Sequence, residues 1–134
     1  PKSRFGKYTV FGKEKVNLDE GKKVICFFSP GCEDCVHTAK EISALSKKME
    51  LPPVYIFFMN EETELIPAFN KQANCYYPYT ILEVSVFWEL LGLNADTPGV
   101  IFLWNGDIIR YYEGLDRNKF DAGDFENACK SING

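Results

Sequence analysis

Two continuous apolar runs stand out in the hydrophobic pattern of the chain. The first covers residues 24–28 and reads VICFF, and the second covers residues 54–59 and reads VYIFFM. Runs of this length, bounded by turn signals and rich in aromatic and β-branched residues, are typical of strands buried on both faces of a sheet. We therefore predict two central strands.

Between these two runs, apolar residues recur at steps of three or four. From Cys35 onward they are Val36, Ala39, Ile42, Leu45 and Met49. This spacing predicts one amphipathic helix, which the Leu51-Pro52-Pro53 segment ends. A strand, a helix and a strand in this order predict a βαβ unit with parallel strands and a right-handed crossover.

Weaker patterns follow on both sides of this unit. Alternating residues over 8–18, around Gly12-Lys13, predict an N-terminal edge hairpin. A second helix is predicted within residues 61–73, started late or disturbed by Pro67, and a third short helix over residues 84–91.

The last third of the chain predicts a second hairpin and a terminal helix. Residues 98–104 (PGVIFLW) and 108–114 (IIRYYEG) are predicted to form the two strands of this hairpin, joined by the turn Asn105-Gly106-Asp107. The terminal helix is predicted from the spacing of Phe120, Phe125, Ala128 and Ile132.

Composition and charge narrow the function classes. The chain has 134 residues, of which 46% are hydrophobic and 25% charged, which is the balance of an ordinary soluble globular protein. Neither a repeat nor a linker interrupts it, so we expect one domain over residues 1–134. The net charge of -4 and the lack of a basic run exclude nucleic acid as an expected partner.

The apolar runs and the first residue bear on targeting. The runs are far shorter than the roughly 20 residues that a membrane helix needs, so we expect no membrane span. The chain begins at Pro1, without an initiator Met or an apolar signal segment. We therefore expect a processed or excised form from which a targeting segment or an N-terminal anchor has been removed.

The cysteines are the candidate chemical groups, and they are Cys26, Cys32, Cys35, Cys75 and Cys129. Their odd number and irregular spacing argue against a disulfide scaffold. Structural zinc sites usually combine two close pairs of ligands, whereas this chain has one such pair and a single histidine. The spacing favours redox exchange over metal binding, and we expect neither a metal nor a cofactor.

The Cys32-Glu33-Asp34-Cys35 motif suits a two-step exchange. At the start of the helix, free N–H groups and the helix dipole favour a thiolate on Cys32, which would be the nucleophile. Cys35, one turn into the helix, is within reach of the same sulfur and can resolve a mixed disulfide.

The other cysteines and the histidine have simpler interpretations. We expect Cys26, Cys75 and Cys129 to pack in the core, because an unpaired cysteine behaves as a small hydrophobic residue. Cys75 lies in a segment expected to be a loop. The alternative to core packing is therefore that its thiol is accessible and forms an accessory disulfide. His37 is expected to face solvent, since exchange through a CxxC pair requires no histidine.

Four landmarks resemble the thioredoxin superfamily over most of the chain. They are the strand 24–28, the CxxC motif opening a helix, the Thr97-Pro98 dipeptide before strand 99–104, and the following hairpin strand with Gly114. Segment 8–35 looks most like the TlpA/ResA type of extracytoplasmic thiol-disulfide oxidoreductase.

This resemblance implies a fold and a function. The implied fold is an α/β thioredoxin-like fold, in which helices flank a central mixed sheet preceded by a hairpin. Pro98 is implied to be a cis-proline beside the active-site pair, and the backbone of Thr97 to pair with an extended substrate segment. The implied partners are protein thiols or disulfides and an upstream redox partner, in an extracytoplasmic or periplasmic compartment.

Several positions depart from the superfamily pattern. Cys26 occupies the place of a buried Asp that assists proton transfer in thioredoxin, and Gly31 replaces the usual Trp before the motif. We expect Gly31 to border the substrate groove. Like-charge repulsion from Glu33 and Asp34 should largely offset the helix dipole at the nucleophile, which favours a reductant.

A second class of function remains open at this point. The chain could keep the thioredoxin fold as a non-catalytic protein-binding module, with a structural Cys32–Cys35 disulfide. A pair that is readily reduced would favour the oxidoreductase, whereas a disulfide resistant to reductant would favour the module.

Overall fold

A computed structural model of the chain describes residues 1–131. It contains a two-stranded hairpin, a five-stranded sheet and four α-helices. In chain order the elements are β1 (Val10–Phe11), β2 (Glu14–Lys15), β3 (Lys22–Phe28), α1 (Glu33–Ser46), β4 (Val54–Met59), a 3-10 helix (Thr63–Leu65), α2 (Ile66–Ala73), β5 (Tyr79–Leu82), α3 (Val84–Leu91), β6 (Gly99–Trp104), β7 (Asp107–Tyr112) and α4 (Ala122–Ser131).

The sheet is mixed, and β3 lies at its centre. The strand order is β5-β4-β3-β6-β7. Strands β3, β4 and β5 are parallel, whereas β6 is antiparallel to β3 and β7 is antiparallel to β6. The predicted βαβ unit is confirmed, and so is the mixed sheet with flanking helices that the resemblance implied.

Successive side chains of β3 enter two different cores, as expected for a strand buried on both faces. Val24, Cys26 and Phe28 pack with α1, α2 and α4 on one face. Ile25 and Phe27 pack on the other face with α3 and with the N-terminal segment. All five side chains are at most 1% exposed.

Both predicted hairpins are present. In the turn between β6 and β7, Asn105 and Gly106 have φ angles of 50° and 83°. Positive φ at both central residues is the geometry that Asn-Gly favours in a two-residue hairpin. The N-terminal hairpin forms its own two-stranded sheet, and its Phe11 packs on Tyr55 and Phe57 of β4.

Strand β5 is the element that the sequence pattern does not predict. It follows Pro78 directly and pairs in parallel with β4, so that Ile56 lies opposite Tyr79. Pairing with β4 turns an irregular aromatic segment into a strand.

The helices differ from prediction mainly at their ends. Helix α1 begins at Glu33 with Cys32 as its N-cap, as predicted for a CxxC motif that opens a helix, and it ends at Ser46. Pro67 stands in the first turn of α2, where its missing N–H costs no helical hydrogen bond. Helix α3 has the predicted bounds, whereas α4 begins after Phe120 and Ile132 lies outside the described residues.

No helix within residues 1–131 is both long and apolar enough to cross a membrane.

The aromatic core gives a stability prediction. Phe57 is fully buried and contacts the rings of Tyr8, Phe11 and Phe27 at centroid distances of 5.1–5.4 Å. We expect Phe57→Ala to lower the free energy of unfolding by about 3–5 kcal/mol, because it removes buried apolar surface and leaves a cavity. Urea denaturation measures this loss.

The control for this experiment is Tyr76→Ala, since the side chain of Tyr76 is 68% exposed. We expect a change within about 0.5 kcal/mol for that variant. Equal losses in the two variants would contradict the described core.

Candidate active site

The end of β3 and the start of α1 position Cys32. Strand β3 stops at Phe28, and the chain turns so that the Cys32 N–H donates a hydrogen bond to the carbonyl of Ser29 at 3.1 Å. Cys32 has an extended backbone, with φ -91° and ψ 115°, and its Sγ accepts the backbone N–H of Cys35 at 3.2 Å. The sulfur therefore caps the helix in the place where a serine or aspartate oxygen commonly does.

The two thiols of the motif differ in their exposure. Cys32 is partly exposed, whereas Cys35 is 0% exposed and packs in the core beneath α1. Both thiols are free in this structure. Only Cys32 can therefore meet a partner sulfur directly.

The loop before β6 supplies the other side of the site. The Thr97-Pro98 peptide bond is cis, as the resemblance implied. The Thr97 hydroxyl lies 3.8 Å from the Cys32 sulfur, within reach of a weak O–H···S hydrogen bond. The structure thus brings Thr97 to the nucleophile through its side chain, in addition to the backbone role that the resemblance implies.

Pro98 and Gly31 lie on different sides of the pair. Pro98 is buried and lines a cleft of about 310 Å³ together with Asp34, Thr38 and Gly114. Gly31 is exposed, and a Cβ built on it would lie 2.6 Å from Oε1 of Glu62. Any larger residue at position 31 would have to displace the Glu62 side chain.

Hydrogen bonds stabilise the thiolate form of Cys32. The pKa of Cys32 is lowered to about 6, first by the hydrogen bond from the Cys35 thiol and further by the backbone N–H of Cys35 and the hydroxyl of Thr97. Partial burial and the charge of Asp34 oppose this and raise the pKa. The expectation that carboxylates largely offset the stabilisation is therefore wrong, although the direction predicted for Asp34 is correct.

Cys35 has the opposite environment. Burial raises the pKa of its thiol far above the ordinary value, and the hydrogen bond to Cys32 and the negative charge of that thiolate raise it further. At neutral pH the pair therefore consists of a Cys32 thiolate and a protonated Cys35. These are the states that a nucleophile and a resolving thiol need before a substrate arrives.

The remaining cysteines lie in the core. Cys26, Cys75 and Cys129 are 1%, 2% and 7% exposed, and burial raises the pKa of each thiol, to about 12 for Cys75 and about 11 for Cys129. The expected core packing of these cysteines is confirmed, and the alternative of an accessible Cys75 is wrong, because its own side chain packs in the core although the neighbouring Tyr76 is exposed. His37 is exposed, as expected, with Nε2 3.6 Å from a Glu41 oxygen.

Two carboxylates near the pair, those of Glu62 and Glu113, are not indicated as site residues by the sequence pattern. Glu62 follows the βαβ unit and has a positive φ of 51° that turns its side chain toward Gly31. Glu113 is 4% exposed, and its carboxylate accepts the backbone N–H groups of Asp96 and Leu115 at 2.9 and 3.1 Å. The only local hint was an acidic residue at the end of an aromatic strand, directly before Gly114.

Within residues 1–131, no group of three or more His, Cys, Asp and Glu side chains has an arrangement that could hold a metal ion.

Comparison with known proteins agrees with this geometry. No protein-family model matches the chain. The chain is 46% identical over 110 residues to Protein TlpB of Flavobacterium psychrophilum, a match that covers 81% of this chain and 30% of TlpB. The chain thus spans about a third of the length of this curated relative.

Solved structures show the same fold at low sequence identity. One is a secreted disulfide oxidoreductase of Mycobacterium tuberculosis that is homologous to E. coli DsbE, with a TM-score of 0.68 and 12% identity over 84% of this chain and 82% of that chain. Another is StoA of Bacillus subtilis, with a TM-score of 0.62 and 14% identity over 86% and 88%. The thioredoxin-like fold is confirmed, and so is the resemblance noted from the sequence.

The difference between the two thiols predicts a specific alkylation profile. We expect iodoacetamide to modify Cys32 first, with a rate that rises with pH and has its midpoint near pH 6, because the thiolate is the reactive form. Mass spectrometry of peptides identifies the modified residue. Faster labelling of Cys35 would reverse the assignment of the two roles.

The charge near the sulfur gives a second prediction. We expect Asp34→Asn to lower the pKa of Cys32 by a few tenths, since it removes a negative charge that opposes the thiolate while solvent screens the effect. Glu33→Gln removes an equal charge one residue away and is the matched control, with a smaller expected change. A pKa that rises in Asp34→Asn would contradict the electrostatic account.

Proposed function

We propose that this chain is a thiol-disulfide oxidoreductase of the thioredoxin superfamily that acts on protein cysteines through Cys32 and Cys35. The observation that carries the proposal is the difference in exposure and pKa between the two thiols of the pair. One thiol is accessible and has a pKa of about 6, and the other is buried, protonated and one helical turn away.

The first step is attack of the Cys32 thiolate on one sulfur of a partner disulfide. A bond forms between Cys32 Sγ and that sulfur, the partner S–S bond breaks, and the other partner sulfur leaves as a thiolate. The leaving thiolate takes up a proton from solvent. The product is a mixed disulfide between Cys32 and the partner.

The second step releases the partner. Cys35 loses its proton and attacks Cys32 Sγ, the mixed disulfide breaks, and the partner sulfur leaves as a thiol after protonation. The partner disulfide has gained two electrons and two protons, and the Cys32–Cys35 dithiol has become a disulfide. An upstream redox partner must return two electrons for the next cycle.

The substrate groove of this proposal runs between Gly31 and the Thr97-Pro98 loop. Gly31 leaves the side of Cys32 open to a partner chain, since it carries no side chain and is exposed. The backbone at Thr97 pairs with an extended substrate segment, while buried Pro98 fixes the wall of the groove. Thr97 also donates its hydroxyl to the sulfur that reacts.

The proposed direction is reduction of the partner. A thiol with a pKa of about 6 is closer to the nucleophile of thioredoxin, at about 7, than to that of the oxidant DsbA, at about 3.5. A less stabilised thiolate makes the dithiol a better reductant. Asp34 acts in the same direction because its charge raises the pKa.

The proposed compartment is extracytoplasmic. This part of the proposal is supported by the resemblance of segment 8–35 to the extracytoplasmic TlpA/ResA type and by the likeness to a secreted disulfide oxidoreductase. We further propose that residues 1–134 act as one domain.

Reduction of a protein disulfide such as that of insulin tests the function. We expect Cys32→Ser to lose exchange down to the uncatalysed background, and Cys35→Ser to accumulate a mixed disulfide that mass spectrometry detects. Cys129→Ala is the control, since that thiol lies in the core away from the pair, and it should keep the parental rate.

Two outcomes would overturn the proposal. Exchange at the parental rate in Cys32→Ser would remove the nucleophile from the mechanism. A Cys32–Cys35 disulfide that resists millimolar dithiothreitol in the folded protein would favour a binding module with a structural disulfide.

A further inference from the structure

Glu113 is the buried carboxylate that the exchange mechanism does not use. It follows β7 directly and is 4% exposed, although it carries no opposite charge among its hydrogen-bond partners in the described residues. A carboxylate is seldom buried to this degree unless its oxygens are satisfied.

Both oxygens of Glu113 accept backbone N–H groups from two different segments. Oε1 accepts from Asp96, which lies just before the cis peptide, and Oε2 accepts from Leu115, which lies just after β7. The N–H of Gly114 donates to the carbonyl of Asp96 at 2.6 Å. The two bonds that involve Asp96 join the loop before β6 to the loop after β7, and the bond from Leu115 fixes the carboxylate on its own side.

Residue 114 has to be small for this junction to form. A Cβ on Gly114 would lie 2.2 Å from the carbonyl oxygen of Thr97, which is closer than any real contact. The two backbones therefore lie against each other at the residue that precedes Pro98. Glu113 holds them together from one side.

The junction continues to the reacting sulfur. The Thr97 N–H donates to Oδ1 of Asp96 at 2.8 Å, and the Thr97 hydroxyl lies 3.8 Å from Cys32 Sγ. A separation of 3.8 Å is long for such a bond, so a displacement of a few tenths of an ångström is enough to lose it. The contacts that position Asp96 therefore influence whether the Thr97 hydroxyl forms a hydrogen bond with the Cys32 thiolate.

We infer that Glu113 is a positioning residue for the nucleophile: its buried carboxylate ties Asp96 to Leu115 and so holds the Thr97 hydroxyl against Cys32. The inference rests on the proposed role of Cys32 as the nucleophile. The hydrogen bonds of the Glu113 carboxylate go to the backbone of Asp96 and Leu115, so Glu113 acts on Cys32 through Thr97.

A double-mutant cycle in the 134-residue protein tests this series of contacts from Glu113 to Cys32. The variants are Glu113→Gln, Thr97→Val and the two combined, and the readout is the pKa of Cys32 from thiolate absorbance at 240 nm. The amide of Gln keeps one acceptor but places an NH2 group opposite one of the two N–H donors. It therefore breaks the bridge without removing the volume of the side chain.

We expect Glu113→Gln to raise the pKa of Cys32 by roughly 0.5 to 1, the amount that one lost hydrogen bond to the thiolate would cause. Alkylation at pH 6 should then slow about two- to fivefold. Thr97→Val should raise the pKa at least as much, and the combined variant should match Thr97→Val alone, because both changes act through one bond.

Asp124→Asn is the control for removal of a carboxylate near the same strand. Asp124 accepts from Tyr112 and Arg110 on the side of β7 that faces α4, and it makes no hydrogen bond to the loop before β6 within residues 1–131. We expect the pKa of Cys32 to stay unchanged in this variant. Glu113→Asp, which can reach only one of the two N–H groups, should fall between the parent and Glu113→Gln.

Two results would overturn the inference. One is an unchanged Cys32 pKa in folded Glu113→Gln, and the other is a combined variant whose shift is the sum of the two single shifts. If Glu113→Gln does not fold, Gly114→Ala disturbs the same junction from the other side, and a folded Gly114→Ala with the parental pKa would be equally decisive. Failure of the proposed function is seen separately, because insulin reduction by the parent chain does not depend on these variants.

Discussion

The burial of β3 on both faces is the interaction on which the rest of the structure depends. Phe27 and Phe28 enter opposite cores and meet Phe57 and Phe58 of β4, at centroid distances of 5.2 and 6.3 Å. Burial of each such side chain contributes roughly 1.5–3 kcal/mol, and the loss of either would weaken a different core. Because β3 is anchored in this way, its carboxyl end presents the turn that leads to Cys32 at a fixed place. The antiparallel neighbour β6 starts beside the same end, with Gly99 opposite Phe27, so Thr97 and the nucleophile come together although they are 65 residues apart.

Hydrogen bonds outweigh formal charge at this nucleophile. Glu33 and Asp34 are both exposed, where water and salt screen their repulsion of a thiolate. The donors to Cys32, in contrast, are short-range and directed at the sulfur from Cys35 and Thr97. The sequence shows the two carboxylates and predicts free N–H groups at the start of the helix, but it does not show the donors from the side chains of Cys35 and Thr97, which explains why it overestimates the effect of charge.

The sequence predicts the elements whose patterns are local. Strands β3 and β4, helix α3 and both hairpins follow from apolar runs, helical spacing and turn residues within ten or so positions. Strand β5 does not, because it becomes a strand by pairing with β4 and its own residues follow a proline in an irregular aromatic segment. The core position of Cys75, in contrast, is expected from the usual burial of an unpaired cysteine. Glu113 is the extreme case, since its burial depends on the meeting of two loops that only the folded sheet brings together.

The complete burial of Cys35 has a kinetic consequence. In the proposed exchange, a partner forms its bond with Cys32 in a bimolecular step, and the rate of that step depends on the concentration of the partner. The step that frees the partner is unimolecular, because Cys35 is held one helical turn from the reacting sulfur, and well-oriented groups of this kind act at effective concentrations of about 10⁵–10⁸ M. In the proposed mechanism, the lifetime of the covalent complex is therefore independent of the concentration of the partner protein.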